Sequence, residues 1–108
     1  MSRQVWLTDG AARDLDELYA AAYDRGGPAM ADQFLDRIQT LLSALAEEEA
    51  PGSSLPELRR LGLHDGRVVR DGPLRVLYRL RDADALLVMI AEQSRSMQSL
   101  LQRRMLDS

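Results

Sequence analysis

In the body of this chain the apolar residues shift from a helical to a strand period, and that shift limits the fold more than any other feature. From residue 11 to the acidic run at residues 47–49 they recur every three to four positions, whereas residues 67–81 alternate apolar with polar. The longer period marks a helix with one buried face, the shorter one a strand with one buried face. A chain that makes helices first and a sheet afterwards belongs to the α+β class.

The elements follow from that pattern. "RQVWLT" alternates Val5 and Leu7 against Gln4 and Trp6, a short strand, and Thr8 or Asp9 is placed to cap a helix. Ala11, Leu15, Leu18, Tyr19 and Ala22 then share one helical face, and "DRGGP" (24–28) ends it. A second helix carries Met30, Phe34, Ile38, Leu41, Leu42 and Leu45 as its stripe. With so short a joint, the two must form an antiparallel hairpin. "APGSSLPELRRLGLHDG" reads as an extended linker, too short to separate domains. "RVVR" (67–70), a turn at Asp71-Gly72 and "PLRVLYRLR" (73–81) make a β-hairpin, and "DAD" (82–84) turns into "ALLVMIAE" (85–92). That last strand is apolar on both faces and so belongs in the middle of the sheet. "RSMQSLLQRRML" spaces Met97, Leu100, Leu101 and Met105 as a final amphipathic helix. The expected order is β-α-α-β-β-β-α, a helical hairpin on a mainly antiparallel four-stranded sheet, with residues 1–108 as one domain.

Several functions are excluded or weakened at this level. Cysteine is absent, so disulfides, thiolate nucleophiles and cysteine-held metals are too. The longest apolar run, residues 85–91, is far too short to span a bilayer, and the N-terminus has no signal-peptide pattern, so a cytoplasmic protein is expected. His64 is the single histidine and sits in the linker beside Asp65, where an exposed loop residue is the simplest reading. No phosphate-cradling glycine loop and no metal-ligand cluster is present, so no cofactor is expected.

Charge is distributed unevenly. Residues 1–50 hold 4 arginines against 10 acids, and residues 51–108 hold 10 arginines against 7 acids, on a chain of net charge -3. Every basic residue is arginine. Arg75, Arg79 and Arg81 alternate with Leu74, Val76, Tyr78 and Leu80, so one face of that strand is basic and the other joins the core. With Arg67 and Arg70 on the neighbouring strand and Arg95 after the last, they suit phosphates or a partner's carboxylates. For any one of them the alternative is surface pairing with Asp82, Asp84 or Glu92. Tyr78, on the aliphatic face, is assigned to the core with its hydroxyl at a polar edge.

The segments "VWLTDGAARDLDELYAAAYDRGGPAMADQFLDRI", "LPELRRLG" and "PLRVLYRLRDADALLVMIAEQSRSMQSLLQRRML" together resemble the RelE/ParE superfamily. These are toxins of bacterial type II toxin–antitoxin systems, including the group called plasmid stabilisation proteins. The resemblance spans nearly the whole chain and implies the fold already read from periodicity. It implies one of two activities: ribosome-dependent mRNA cleavage in RelE-like members, or inhibition of DNA gyrase in ParE-like members. In the first, Arg75 and Arg95 match the arginines that act on phosphate. The tail tyrosine of such nucleases falls near Leu101 here, and the paired lysines have only Arg67 and Arg70 as counterparts. Arginine stays protonated and makes a poor base, and an acidic chain fits ribosomal RNA badly. The resemblance therefore implies a ParE-like toxin that binds gyrase and is neutralised by a cognate antitoxin in a hetero-oligomer. Arg67, Arg70, Arg75, Arg79, Arg95, Arg103 and Arg104 are its expected contact residues. The alternatives are a ribosome-dependent endoribonuclease and a degenerate toxin kept as an antitoxin-binding module.

Overall fold

The structure, a computed structural model, describes residues 3–47, 52–54, 56–60, 62, 64–92 and 102. The expected C-terminal helix, with Arg95, Arg103 and Arg104, lies outside the described residues apart from Gln102.

The short strand β1 (Val5–Leu7) leads into α1 (Asp9–Ala46). Thr8 is the N-cap, accepting from the Ala11 N–H at 3.1 Å. The two expected helices form one element interrupted at Gly27, whose φ of 72° and ψ of -163° are not helical. Glycine tolerates that conformation, and Pro28 starts the second arm without an amide that would go unpaired. A straight helix of 38 residues would be about 57 Å long, yet the longest extent of the molecule is 39 Å. The arms fold back instead: the Arg3 N–H donates to the Ala46 carbonyl at 2.8 Å, which returns the end of α1 to β1. Ala22 and Ala31, on either side of Gly27, are buried, and small residues there let the arms approach closely.

After α1 the linker is less extended than its composition implies. Ser53 exchanges two backbone hydrogen bonds with Val68, both 2.9 Å, and Pro56–Arg60 form a short helix, α2. Leu58 supplies the physical reason, since it is fully buried; in such a site Leu→Ala costs about 2–5 kcal/mol.

Strands β2 (Gly66–Asp71), β3 (Leu74–Arg81) and β4 (Asp84–Glu92) complete a sheet of order β1-β4-β3-β2. β1 runs parallel to β4, and the other pairs are antiparallel. β4 is internal, as its two apolar faces require. The first hairpin turns at Gly72-Pro73, one residue later than expected, with Asp71 opposite Leu74.

Register places Leu77 opposite Met89 but Tyr78 opposite Leu87, leaving Val88 as an extra residue in β4. The bulge flips the phase of the strand, so Leu87 and Ile90 face the same way. β1 ends at Leu7, and α1 takes over its role along β4. The Asp14 Oδ2 accepts from the Ile90 N–H at 3.0 Å, and the Thr8 hydroxyl donates to the Val88 carbonyl at 3.4 Å. On the helix side the core joins Ala11, Ile38, Leu41 and Leu45 to Val76, Tyr78, Leu87 and Ile90.

Candidate functional site

Alternation from the observed register assigns each strand residue to a side of the sheet. Leu74, Val76, Tyr78 and Leu80 belong to or pack against the helix-side core, so Arg75, Leu77, Arg79 and Arg81 face away from it. On β2, Arg70 stands directly opposite Arg75 and Val68 opposite Leu77, on that same far face. Arg67 stands opposite Tyr78, on the helix side, where its Nη1 donates to the Gly66 carbonyl at 2.8 Å and the His64 carbonyl at 3.3 Å. The structure thus gathers Arg70, Arg75, Arg79 and Arg81 and keeps Arg67 from them.

The far face is graded rather than uniformly basic. Its middle row is apolar: Val68, Leu77 and Met89 are all buried. At one end, Asp65 clamps two arginines, with Oδ1 2.9 Å from the Arg79 Nε and Oδ2 3.1 Å from the Arg81 Nε. Partial burial pushes the Asp65 carboxyl up, but the hydrogen bond and charge of Arg79, the residue's own backbone and the charge of Arg81 together hold it below its ordinary value. These two guanidiniums do pair with a carboxylate, though not with Asp82, Asp84 or Glu92. Asp65 was missed because its link to β3 is set by strand register, 14 and 16 residues away. The Leu80 N–H donation to the Asp65 carbonyl at 3.0 Å fixes that register locally.

At the other end Arg70 and Arg75 face each other with Ala91 beside them. Like charges directly opposite on a sheet repel. Among the described residues, the Arg75 Nε and Nη2 are buried and have no hydrogen-bond partner. Those two nitrogens form the side-on fork of a guanidinium, whose geometry matches the paired oxygens of a carboxylate or phosphate. The Arg75 fork is thus left without a partner among the described residues, whereas Arg79 and Arg81 share the single carboxylate of Asp65.

Other candidates are placed as follows. His64 is exposed. Tyr78 is buried on the helix side, its hydroxyl accepting from the Gly52 N–H at 3.0 Å and its ring 6.0 Å beneath the Arg3 guanidinium. No group of three or more metal-ligating side chains occurs among the described residues, and none of their helices is long and apolar enough to cross a membrane. A groove of ≈ 400 Å³ opens at the tip of the hairpin, between the arms of α1 and the β2–β3 turn.

The family model described as "ParE toxin of type II toxin–antitoxin system, parDE" matches residues 5–97. The chain belongs to the ParE toxin family. Solved structures repeat its fold. A chain of the chromosomal ParDE toxin–antitoxin system from P. aeruginosa aligns with a TM-score of 0.63 at 20% identity, covering 84% of this chain and 96% of that one. One from the E. coli DinJ–YafQ toxin–antitoxin complex aligns with a TM-score of 0.55 at 13% identity, covering 87% and 96%. The Helicobacter pylori protein HP0894 aligns with a TM-score of 0.51 at 16% identity, covering 87% and 97%. At these identities the likeness is one of fold. No curated protein matches the chain significantly in sequence. The ParE-family assignment and the α+β toxin fold agree with the resemblance drawn from the sequence.

Proposed function

We propose that this ParE-family toxin arrests growth by binding DNA gyrase and is neutralised by a cognate antitoxin. What supports the choice of target is an arginine face with no free proton-transfer group around Arg75 among the described residues. Around Arg75 that face offers Arg70, Ala91, Leu77, Met89 and Val68 among the described residues. The Tyr78 hydroxyl is on the opposite side of the sheet and engaged by Gly52. Asp65 is held ionised by Arg79 and Arg81, which removes it as an acid at neutral pH. RNA cleavage needs a base for the attacking hydroxyl and an acid for the leaving oxygen, and arginine serves poorly as a base. Holding a partner's carboxylates needs neither.

One observation favours the second reading, ribosome-dependent mRNA cleavage. The unmet side-on fork of Arg75 fits a scissile phosphate as well as a carboxylate. Purified protein separates the two. The expected result is loss of supercoiling by gyrase, with mRNA on ribosomes left intact. Codon-dependent cleavage of ribosome-bound mRNA, with gyrase unaffected, would overturn the proposal. Expression without toxicity, with antitoxin binding intact, would instead indicate a degenerate toxin.

A further inference from the structure

The sheet has two edges, and they are treated differently. On the β2 edge Ser53 exchanges two backbone hydrogen bonds with Val68, both 2.9 Å. The other edge is β1, which pairs with β4 on one side and with no strand on its other side among the described residues. We propose that β1 is a self-association edge. Two copies of the chain pair their β1 strands antiparallel about a two-fold axis at Trp6, which joins the two sheets into one.

Three observations point to a second copy. The first is which backbone groups are left over. The Gln4 carbonyl accepts from the Ala85 N–H, and the Thr8 N–H donates to the Leu87 carbonyl, each at 3.0 Å. Residues 4, 6 and 8 therefore turn their backbone groups toward β4. Val5 and Leu7, between them, turn theirs outward.

The second is that the strand is complementary to itself. Residues 3–9 read Arg-Gln-Val-Trp-Leu-Thr-Asp. Turned about Trp6, Val5 meets the partner's Leu7, Gln4 the partner's Thr8, and Arg3 the partner's Asp9. Apolar faces apolar, polar faces polar, and cation faces anion. The backbone demands the same register. It sets the outward groups of Val5 opposite those of the partner's Leu7, as a hydrogen-bonded pair, whereas a slip of one residue would oppose outward groups to inward ones. The ends agree as well. Arg3 donates from its N–H to the Ala46 carbonyl and from its Nε to the Leu45 carbonyl, both at 2.8 Å, so the C-terminal end of α1 lies beside it. In the pair, that end comes next to the N-terminal end of the partner's α1, and the helix dipoles meet with opposite signs.

The third is the side chain at the axis. Val5 and Leu7 pack against the helix-side core, so Trp6 points to the other face. It is the single tryptophan of the chain and is 55% exposed. Its Nε1 donates to the Asp84 Oδ2 at 3.4 Å, which orients the indole at the edge. In this register the two Trp6 residues form a non-hydrogen-bonded pair, the kind whose side chains come closest, and an aromatic pair there stabilises the strands.

The test is sedimentation velocity of the purified toxin over a range of concentrations, with far-ultraviolet circular dichroism of the same samples. Wild type is expected to dimerise, and the paired indoles to give an exciton couplet that grows with the dimer fraction. That signal is read on the wild type and depends on no variant. Trp6→Arg places like charges opposite each other at the axis, and Val5→Pro removes an outward N–H while leaving the ladder to β4 whole. Each is expected to weaken dimerisation by roughly 10-fold or more. Tyr23→Arg, a comparable change at an exposed aromatic of α1, is expected to alter it by less than about 2-fold. A dimer without the couplet, or one that Tyr23→Arg separates and Trp6→Arg does not, would overturn the inference. So would a wild type that stays monomeric, including one whose Trp6 fluorescence shifts only when antitoxin is added, since the edge would then belong to another chain.

Discussion

The Gly52 amide donates to the buried hydroxyl of Tyr78 at 3.0 Å, pinning the segment after α1 to the middle of β3. A methyl at Gly52 would strike that hydroxyl and the Arg67 Cβ, the latter at 2.8 Å. Tyr78→Phe leaves one amide unpaired and is expected to lower stability by about 1–2 kcal/mol. Gly52→Ala must displace Arg67 and break the same bond, so it should cost more. Urea unfolding of both variants checks the order. Toxicity should survive Tyr78→Phe wherever the variant stays folded, and its loss in a stable variant would give Tyr78 a direct role.

The joint of the hairpin tests a different kind of constraint. Gly27 sits at φ 72° with nothing within 4 Å of an added Cβ. Any destabilisation by Gly27→Ala therefore comes from the backbone, at about 1–3 kcal/mol for a conformation that L-residues avoid. The helical signal in circular dichroism should persist while the thermal midpoint falls. An unchanged midpoint would mean that the arms reverse without the strain assigned to this residue.

Asp65 gives a pH dependence with a definite sign. Its carboxyl is held below the ordinary value by Arg79 and Arg81 against the opposing effect of burial. A depressed folded pKa stabilises the fold above the unfolded pKa, and that stabilisation disappears as pH falls through the folded one. Wild type should therefore lose stability in acid more steeply than Asp65→Asn, and the two curves should converge at the acid end. Because Asp65 and both arginines are partly exposed, added salt should shrink the difference. Curves of identical slope would remove Asp65 as a clamp.

Local chemistry was legible in the sequence, and relations set by register were not. The Thr8 cap, the helical stripes, the break at residues 24–28 and the core side of β3 all depend on neighbours within a few positions. The first turn shows where such reading slips. Asp-Gly is a strong hairpin signal when glycine takes the second turn position. Here Pro73 follows, and proline is confined to negative φ. Gly72, at φ 57°, therefore takes the first position and the turn moves one residue along. The Val88 bulge, the burial of Leu58 that organises α2 and the Asp65 clamp all depend on partners far along the chain. The placement of Arg75 on the face away from the helices was legible by alternation alone, but its unmet fork and its confrontation with Arg70 required the strand pairing.

That confrontation makes Arg75 a residue whose loss should stabilise the fold and impair the activity. Its Nε and Nη2 are buried without hydrogen-bond partners among the described residues, and Arg70 faces it across the strands. An apolar replacement removes both the desolvated charge and the repulsion, so Arg75→Leu is expected to hold stability within about 1 kcal/mol of wild type or raise it. Toxicity on induced expression should fall sharply in the same variant. Arg75→Lys keeps the charge but not the planar two-nitrogen donor, so it should remain nearly as impaired. Arg70→Lys, which needs only a nearby positive charge, should retain most of the effect. The opposite pattern would place Arg75 in a structural ion pair: Arg75→Leu unfolding more easily by over 2 kcal/mol, with lysine restoring it. A residue that weakens the fold by its presence and is still required for growth arrest would be one kept for what it binds.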